Sequence, residues 1–491
     1  MSLARAFKIQ MAGSVVQMFA QVLRGKLAAI FLGPAGVGVF NQMTVIWNLF
    51  QSAGSMGSFQ GMVQHGASAI AEGDRPIRQL LSTFTIVLAT FSTVLAIAGV
   101  VEARFLSDLV LNDGGEHARL ISLMLLAVPF SVTALVYRAA LSSARAVDKL
   151  VRAQILSDVC GAIVFAALIW RLGLAGAIVG FMVSNLAFFF LTLARVWRMF
   201  GGAQVLPRLA DFRSDIVRRN LGLGASGLMM LILSNVSIMI VNRIIIAHFG
   251  LHGAGLFSNA WRLATIYLFS VTAVALSYNL PSLTQTKTPE HLSDQVGITL
   301  RFYSWALPVL MVGVMALAEP IIRVILSKEF LPSALIMFIL VPTELLRIYG
   351  ETLLMPLLAR NRGFHFTALF ALQTGLFVGL SVLMVPRFGL LGGAIAYAIS
   401  LTLANVVTYA VAVRNIGLTL TGSTIAAAAE AIVMLIGAAT MCFLFSFGLA
   451  RLVSCALLVL VWGLLAVRHG EVRAYLLSVT STMNGMLGRR R

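Results

Sequence analysis

Residues 31–40 read FLGPAGVGVF, and residues 248–257 read HFGLHGAGLF. The two stretches superimpose glycine on glycine: Gly33 on Gly250, Gly36 on Gly253 and Gly38 on Gly255, with Phe40 and Phe257 closing each copy. A second pair keeps nearly the same spacing, since RLGLAGAIVGF at 171–181 aligns with RFGLLGGAIAY at 387–397. Two matches, offset by 217 and 216 residues, mark an internal duplication. Each glycine cluster is expected to be a tight turn between the first two helices of one copy, where glycine permits both the backbone angles and the close approach.

What lies between the turns is apolar. Hydrophobic residues make up 59% of the 491 and charged residues 11%, against about a quarter charged in a soluble chain. Uncharged apolar runs recur from end to end, as in LLSTFTIVLATFSTVLAIAGVV at 80–101. Each reads as a membrane-spanning helix. The chain is therefore expected to be an all-α polytopic membrane protein with about fourteen transmembrane helices. The reading runs from 9–32 and 38–63, through 153–170 and 174–195, to 424–447 and 450–468. The first run is kept as a span, being too long for a signal-peptide core. Spans 1–6 correspond to spans 7–12, and because six is even the two copies share one orientation. The expected organisation is a six-helix lobe over 1–205, a second over 206–415, and two extra helices with a basic tail over 416–491.

The net charge of +18 does not call for nucleic acid. With the N-terminus inside, cytoplasmic loops and tails carry 24 Lys and Arg and the opposite side carries 7. That bias orients both termini to the cytoplasm, next to anionic lipid. Cys160, Cys442 and Cys455 all lie in apolar runs without CxxC or Cys/His spacing. Disulfides, zinc and iron–sulfur clusters are not expected, nor is any cofactor.

Polar side chains inside spans are costly and should face protein or water. Gln10, Ser14, Gln17, Gln21 and Arg24 form one stripe along span 1. Asn41, Thr44, Asn48, Gln51, Ser55 and Ser58 do the same in span 2. Span 8 presents Ser258, Asn259, Arg262, Thr265 and Thr272, and span 7 carries Asn235, Asn242 and Arg243. These stripes are read as the wall of a hydrated cleft between the two lobes, with interhelical hydrogen bonding as the plainer alternative. Subtracting those 24 and 7 from the 36 basic residues leaves five, which sit within spans: Arg24, Lys26, Arg243, Arg262 and Arg347. Against them stand two central acids, Glu344 and Glu351, which share one face of span 10 with Arg347. That trio reads either as a buried ion cluster or as an ion-coupling site. The surplus positive charge suits a phosphate-bearing ligand, such as a lipid-linked pyrophosphate whose tail stays in the bilayer.

The opening MSLARAFKIQMAGSVVQMFAQVLRGKLAAIFLGPAGVGVFNQM resembles Wzx-type O-antigen and exopolysaccharide flippases. These form the polysaccharide transporter family of the multidrug/oligosaccharidyl-lipid/polysaccharide exporter superfamily. The resemblance covers the first twelve spans, including the glycine turn after span 1 and its echo after span 7. It implies two lobes in a V, with helices 1, 2, 7 and 8 lining the cavity. It also implies movement of undecaprenyl-pyrophosphate-linked oligosaccharide from the cytoplasmic to the periplasmic leaflet of a bacterial inner membrane, by alternating access. Arg24, Lys26, Arg243 and Arg262 would then hold the head group, with Gln17, Gln21, Asn41, Asn48, Gln51 and Asn259 lining the cavity. A polysaccharide polymerase and a chain-length regulator are the partners such a role implies.

A lipid II flippase is a neighbouring reading. A drug/cation antiporter would want an acidic cavity, and spans 1, 2, 7 and 8 hold no Asp or Glu. A membrane polymerase or ligase would present a large outer loop for acid–base chemistry. The longest here, about 102–118, offers only His117. No enzyme activity is expected.

Overall fold

The computed structural model describes residues 3–268, 288–360 and 362–468. Among the described residues there are no strands, and about 90% are helical. Ten described helices are long and apolar enough to cross a membrane. Three of these are each broken at one glycine, at Gly33, Gly173 and Gly250, so the ten resolve into thirteen straight segments. The shorter apolar helix Leu449–Leu464 makes fourteen, and each falls on one of the spans read from sequence.

The breaks carry the duplication into three dimensions. Gly33 sits at φ 63° and ψ −176°, and Gly250 at φ 65° and ψ −174°. Only glycine occupies that region without strain. Pro34 then opens the outgoing arm, a position that needs no donor and suits its fixed φ. Gly173 and Gly389, the glycines of the second echo, also take left-handed φ, 53° and 63°.

The chain divides into two compact units. The first comprises Met1–Asn259, Arg323–Phe330 and Gly363–Ala396. It contains α1 (Leu3–Ser55), α2 (Phe59–Glu72), α3 (Asp74–Val101), α4 (Ala103–Leu111), α5 (Ala118–Leu125), α6 (Val128–Ser143), α7 (Val147–Phe200), α8 (Gly202–Val205) and most of α9 (Ser214–Ile266). Its core sets α1 and α6 against α7 and α3 against α6, around Met43, Trp47, Phe84, Leu88 and Val132. After α7 the chain is tied back to α3. Arg208 and Arg213 donate backbone N–H bonds to Ser82 and Thr83, and Arg78 pairs with Asp211 at 3.0 Å.

Within this unit the two echo hairpins meet. A Cβ on Gly38 would stand 2.3 Å from the Leu251 carbonyl oxygen, and one on Gly255 would stand 1.9 Å from that of Pro34. Gly38 and Gly255 are repeat equivalents, as are Pro34 and Leu251, so the contact is reciprocal about a local two-fold axis. Asn41 donates to Ser258 at 2.8 Å across 217 residues, joining one position to its own equivalent. Glycine stands here because backbone meets backbone.

The second unit comprises Ala260–Ile322, Leu331–Arg362 and Tyr397–Arg491. It holds α10 (Pro289–Ala316), most of α11 (Ala318–Ile325), α12 (Ser333–Ala359), the later part of α14 (Leu390–Ile416), α15 (Gly422–Leu444) and α16 (Leu449–Arg468), while α13 (Gly363–Phe388) belongs to the first unit. Helix α10 packs on α15 and α12, and α16 lies against α15 and α10. Buried Cys442 and Cys455 stand with sulfurs 4.0 Å apart as free thiols.

Arg451 fastens the α15–α16 pair to this unit. Its side chain is 3% exposed. Nε donates to the Phe445 carbonyl at 2.9 Å, Nη2 to that of Cys442 at 3.1 Å, and Nη1 to Glu319 at 3.1 Å. The guanidinium also lies over the Phe338 ring. Arg451→Leu strips three acceptors of their donor at once, and is expected to cost about 3–5 kcal/mol. Thermal unfolding in detergent measures this, and an unchanged midpoint would show that α15–α16 is held by its packing on α10 and α12 alone.

Candidate functional site

In α1, nine residues before the break at Gly33, Arg24 points into protein. Its Nη2 reaches Asp158 Oδ1 of α7 at 3.3 Å and its Nη1 donates to Ser184 Oγ at 3.1 Å. Nε turns back to the Ala20 carbonyl at 3.4 Å. The other carboxylate oxygen of Asp158 accepts from Gln17 Nε2 at 3.4 Å and Gln154 Nε2 at 3.3 Å. Both partners of the ion pair are largely buried, with side chains 16% and 12% exposed. The sequence count of central acids omits Asp158, which lies inside the fifth span. Arg24 is thus a paired cation, and its partner is 134 residues away, beyond the reach of helix periodicity.

Lys26 and Arg243, equivalent across the duplication, make equivalent contacts with helix-end carbonyls. Lys26 Nζ donates to the Arg323 carbonyl at 3.0 Å, and Arg243 Nη1 to the Asp108 carbonyl at 2.7 Å. Both acceptors sit in the last four residues of a short helix, α11 or α4, where the dipole favours a cation, and the Asp108 carbonyl also accepts the Asn112 N–H at 2.9 Å. The contacts run crosswise, from the hairpin of one repeat to the short helix of the other.

The polar stripes divide. Gln17 joins the Arg24 cluster, Gln21 is exposed, and the side chains of Gln10 and Ser14 lie outside the described residues. Asn41 meets Ser258, and Asn242 donates to Gln42 at 3.3 Å, with Gln42 1% exposed and absent from the stripes. Asn48 is exposed and Gln51 half-buried. Thr44, Ser55, Asn235, Asn259 and Thr265 return their bonds to carbonyls three or four residues back on their own helix, and Ser58, in the turn after α1, bonds back to Ser55, the usual resort of small polar side chains inside a membrane. Arg262 is half-buried near the end of α9, in the second unit, and Thr272 lies outside the described residues.

Glu344, Arg347 and Glu351 come together as the i, i+3, i+4 spacing predicts. Arg347 Nε bonds Glu344 Oε2 at 2.7 Å and Nη1 bonds Glu351 Oε1. Glu344 is 1% exposed, whereas the Glu351 side chain is 46% exposed. The trio therefore runs from a sealed carboxylate to an accessible one.

The stretch 102–118 is mostly helix α4, and His117 is not solitary there. Its Nδ1 lies 2.7 Å from Asp113 Oδ2. Burial pushes the Asp113 carboxyl up, but bonds from His117, Ser107 and the Gly115 and His117 amides outweigh it and hold the group below its ordinary value. This is a closed turn built around Asp113.

Residues 27–335 match the model of a family described as polysaccharide biosynthesis protein. The lipid III flippase of Escherichia coli (strain K12) is 23% identical over 344 residues, 67% of this chain and 79% of that protein. Among solved structures, lipid II flippase MurJ in an inward closed conformation is similar with a TM-score of 0.68 at 14% identity, over 95% of this chain and 99% of that one. An inward-facing multidrug resistance MATE transporter of the MOP superfamily has a TM-score of 0.65 at 17% identity, over 82% of this chain and 94% of that one. The fold is that of MOP-superfamily transporters.

Proposed function

The chain belongs to the polysaccharide biosynthesis protein family, and from that premise we propose that it is a flippase for lipid-linked oligosaccharide. It moves undecaprenyl-pyrophosphate-linked oligosaccharide from the cytoplasmic to the periplasmic leaflet of a bacterial inner membrane, for O-antigen or exopolysaccharide synthesis. Both termini face the cytoplasm, on the charge bias of the loops. The two six-helix repeats, 1–205 and 206–415, alternate access around the substrate, and 416–491 is an accessory pair. Polymerase and chain-length regulator are the partners on the outer side.

The observation that carries this reading is a guanidinium inside the helix bundle, Arg24, whose two terminal nitrogens already hold acceptor oxygens from different parts of α7. Phosphate oxygens are the ligand chemistry for which that fork is suited. The flippase activity of the lipid III relative points the same way. Arg262, on the polar face of α9, is the second candidate for the head group, with Lys26 and Arg243 nearer the glycine turns.

The test is leaflet accessibility of the lipid-linked oligosaccharide in cells with and without the protein. Intermediates are expected to accumulate on the cytoplasmic face without it, and Arg24→Ala or Arg262→Ala is expected to behave like the deletion at normal protein level. Outer-leaflet appearance of the sugar lipid in the deletion strain, or normal export by both variants, removes the reading. A cation exporter is the second reading, favoured by the acids Asp158 and Glu344. It predicts dye efflux that depends on those two carboxylates and not on Arg24.

A further inference from the structure

The ion pairs inside this protein are of two kinds. Arg347 grips Glu344 at 2.7 Å, and Arg451 engages an acceptor with each of its three nitrogens at 2.9–3.1 Å. The Arg347–Glu344 distance is in the short range of charge-assisted bonds, and Arg451 is held by three acceptors from two elements. Arg24 and Asp158 instead meet at 3.3 Å through a single Nη2–Oδ1 contact. The remaining contacts of the cluster are 3.1–3.4 Å. The guanidinium fork is split, one tine on Asp158 and the other on Ser184.

Asp158 also has company of its own. Gln17 and Gln154 both donate to Oδ2, the oxygen that Arg24 does not touch. Withdrawing Arg24 therefore leaves the carboxylate with two amide donors. The usual penalty for breaking a buried pair comes from stranding the other charge, and here that penalty is reduced on one side. It vanishes on the other side too if an incoming anion takes the fork.

Resting on the flippase reading above, we propose that Asp158 is a resident anion that holds Arg24 between transport events and is displaced from it by the substrate's phosphate. The carboxylate sets affinity by competition. It keeps the cation neutralised inside the membrane when no substrate is bound, and it limits how tightly a phosphate group is held, so that the product can leave. A ligand bridging Nη1 and Nη2 replaces two single acceptors by one bidentate acceptor, and Asp158 falls back on Gln17 and Gln154.

The prediction is a split between affinity and turnover. Purified wild type, Asp158→Asn, Asp158→Glu and Arg24→Ala are reconstituted in nanodiscs. Binding of undecaprenyl pyrophosphate is titrated by thermal shift and by competition with inorganic pyrophosphate. Asp158→Asn preserves shape and should bind at least about tenfold tighter while flipping more slowly in cells. It should also gain more thermal stability from ligand than wild type does, because only ligand then neutralises Arg24. Asp158→Glu keeps the competing charge and should stay near wild-type affinity, which separates competition from misfolding. If Asp158→Asn binds equally or more weakly while wild-type binding depends on Arg24, the competition is overturned and the flippase reading stands. If Arg24→Ala binds as wild type does, the cationic site itself is lost and the competition with it.

Discussion

Gly255→Ala is expected to reduce export at least tenfold and to lower the thermal midpoint. A methyl group there would stand 1.9 Å from the Pro34 carbonyl oxygen and 2.7 Å from its carbon. Both obstacles are backbone, so no side chain can swing aside to make room. Overpacking typically costs about 1–3 kcal/mol, and a clash with backbone that cannot swing aside belongs at or above the upper end. Gly38→Ala should behave alike, since its Cβ would stand 2.3 Å from the Leu251 oxygen. Gly379→Ala is the control, because a Cβ there meets nothing within 4 Å. In a helix interior that change should be neutral, or stabilising by up to about 1 kcal/mol. Wild-type unfolding and export by Gly255→Ala would show that the hairpins can separate without cost.

Arg347→Leu should be the most damaging single change in the second unit. It leaves Glu344, 1% exposed, without its cation, and removing one partner of a buried pair costs about 3–5 kcal/mol. The expected readout is loss of folded protein after detergent extraction. Glu344→Gln combined with Arg347→Leu removes both charges and should recover most of that stability. The double variant also separates the two readings of the cluster. Recovered folding with recovered export assigns it to structure, and recovered folding without export assigns it to the transport cycle. An Arg347→Leu protein as stable as wild type would mean that Glu344 is neutral at rest.

The comparison of sequence with structure is clearest at these residues. Glu344, Arg347 and Glu351 were readable as a unit because helix periodicity alone brings positions three and four apart together. The glycine turns were readable because they are written twice, and backbone angles depend on the residue itself. Gln17 and Arg24 both contact Asp158, as positions seven apart on one helix face can. Asp158 escaped notice because its meaning lies in a partner on another helix, and a lone Asp in the apolar run 153–170 carries no local pattern. The fate of Lys26 and Arg243 was illegible for a further reason. Their acceptors are backbone carbonyls, at Arg323 and Asp108, and every residue has one.

The helical membrane class, the fourteen apolar segments, the duplication and the position of its turns are all legible in the residues alone. Each of these is a property of hydropathy, period and backbone freedom, which act within a few residues. Which charge answers which depends on the packing of helices distant in the chain. Packing places Asp158 on Arg24, Arg451 on Glu319 and the C-terminal end of α15, and the two hairpins against each other at Gly38 and Gly255. Those pairings are set by which helices pack together, since a charge or a backbone group in a membrane must find its partner wherever the packing brings one within reach.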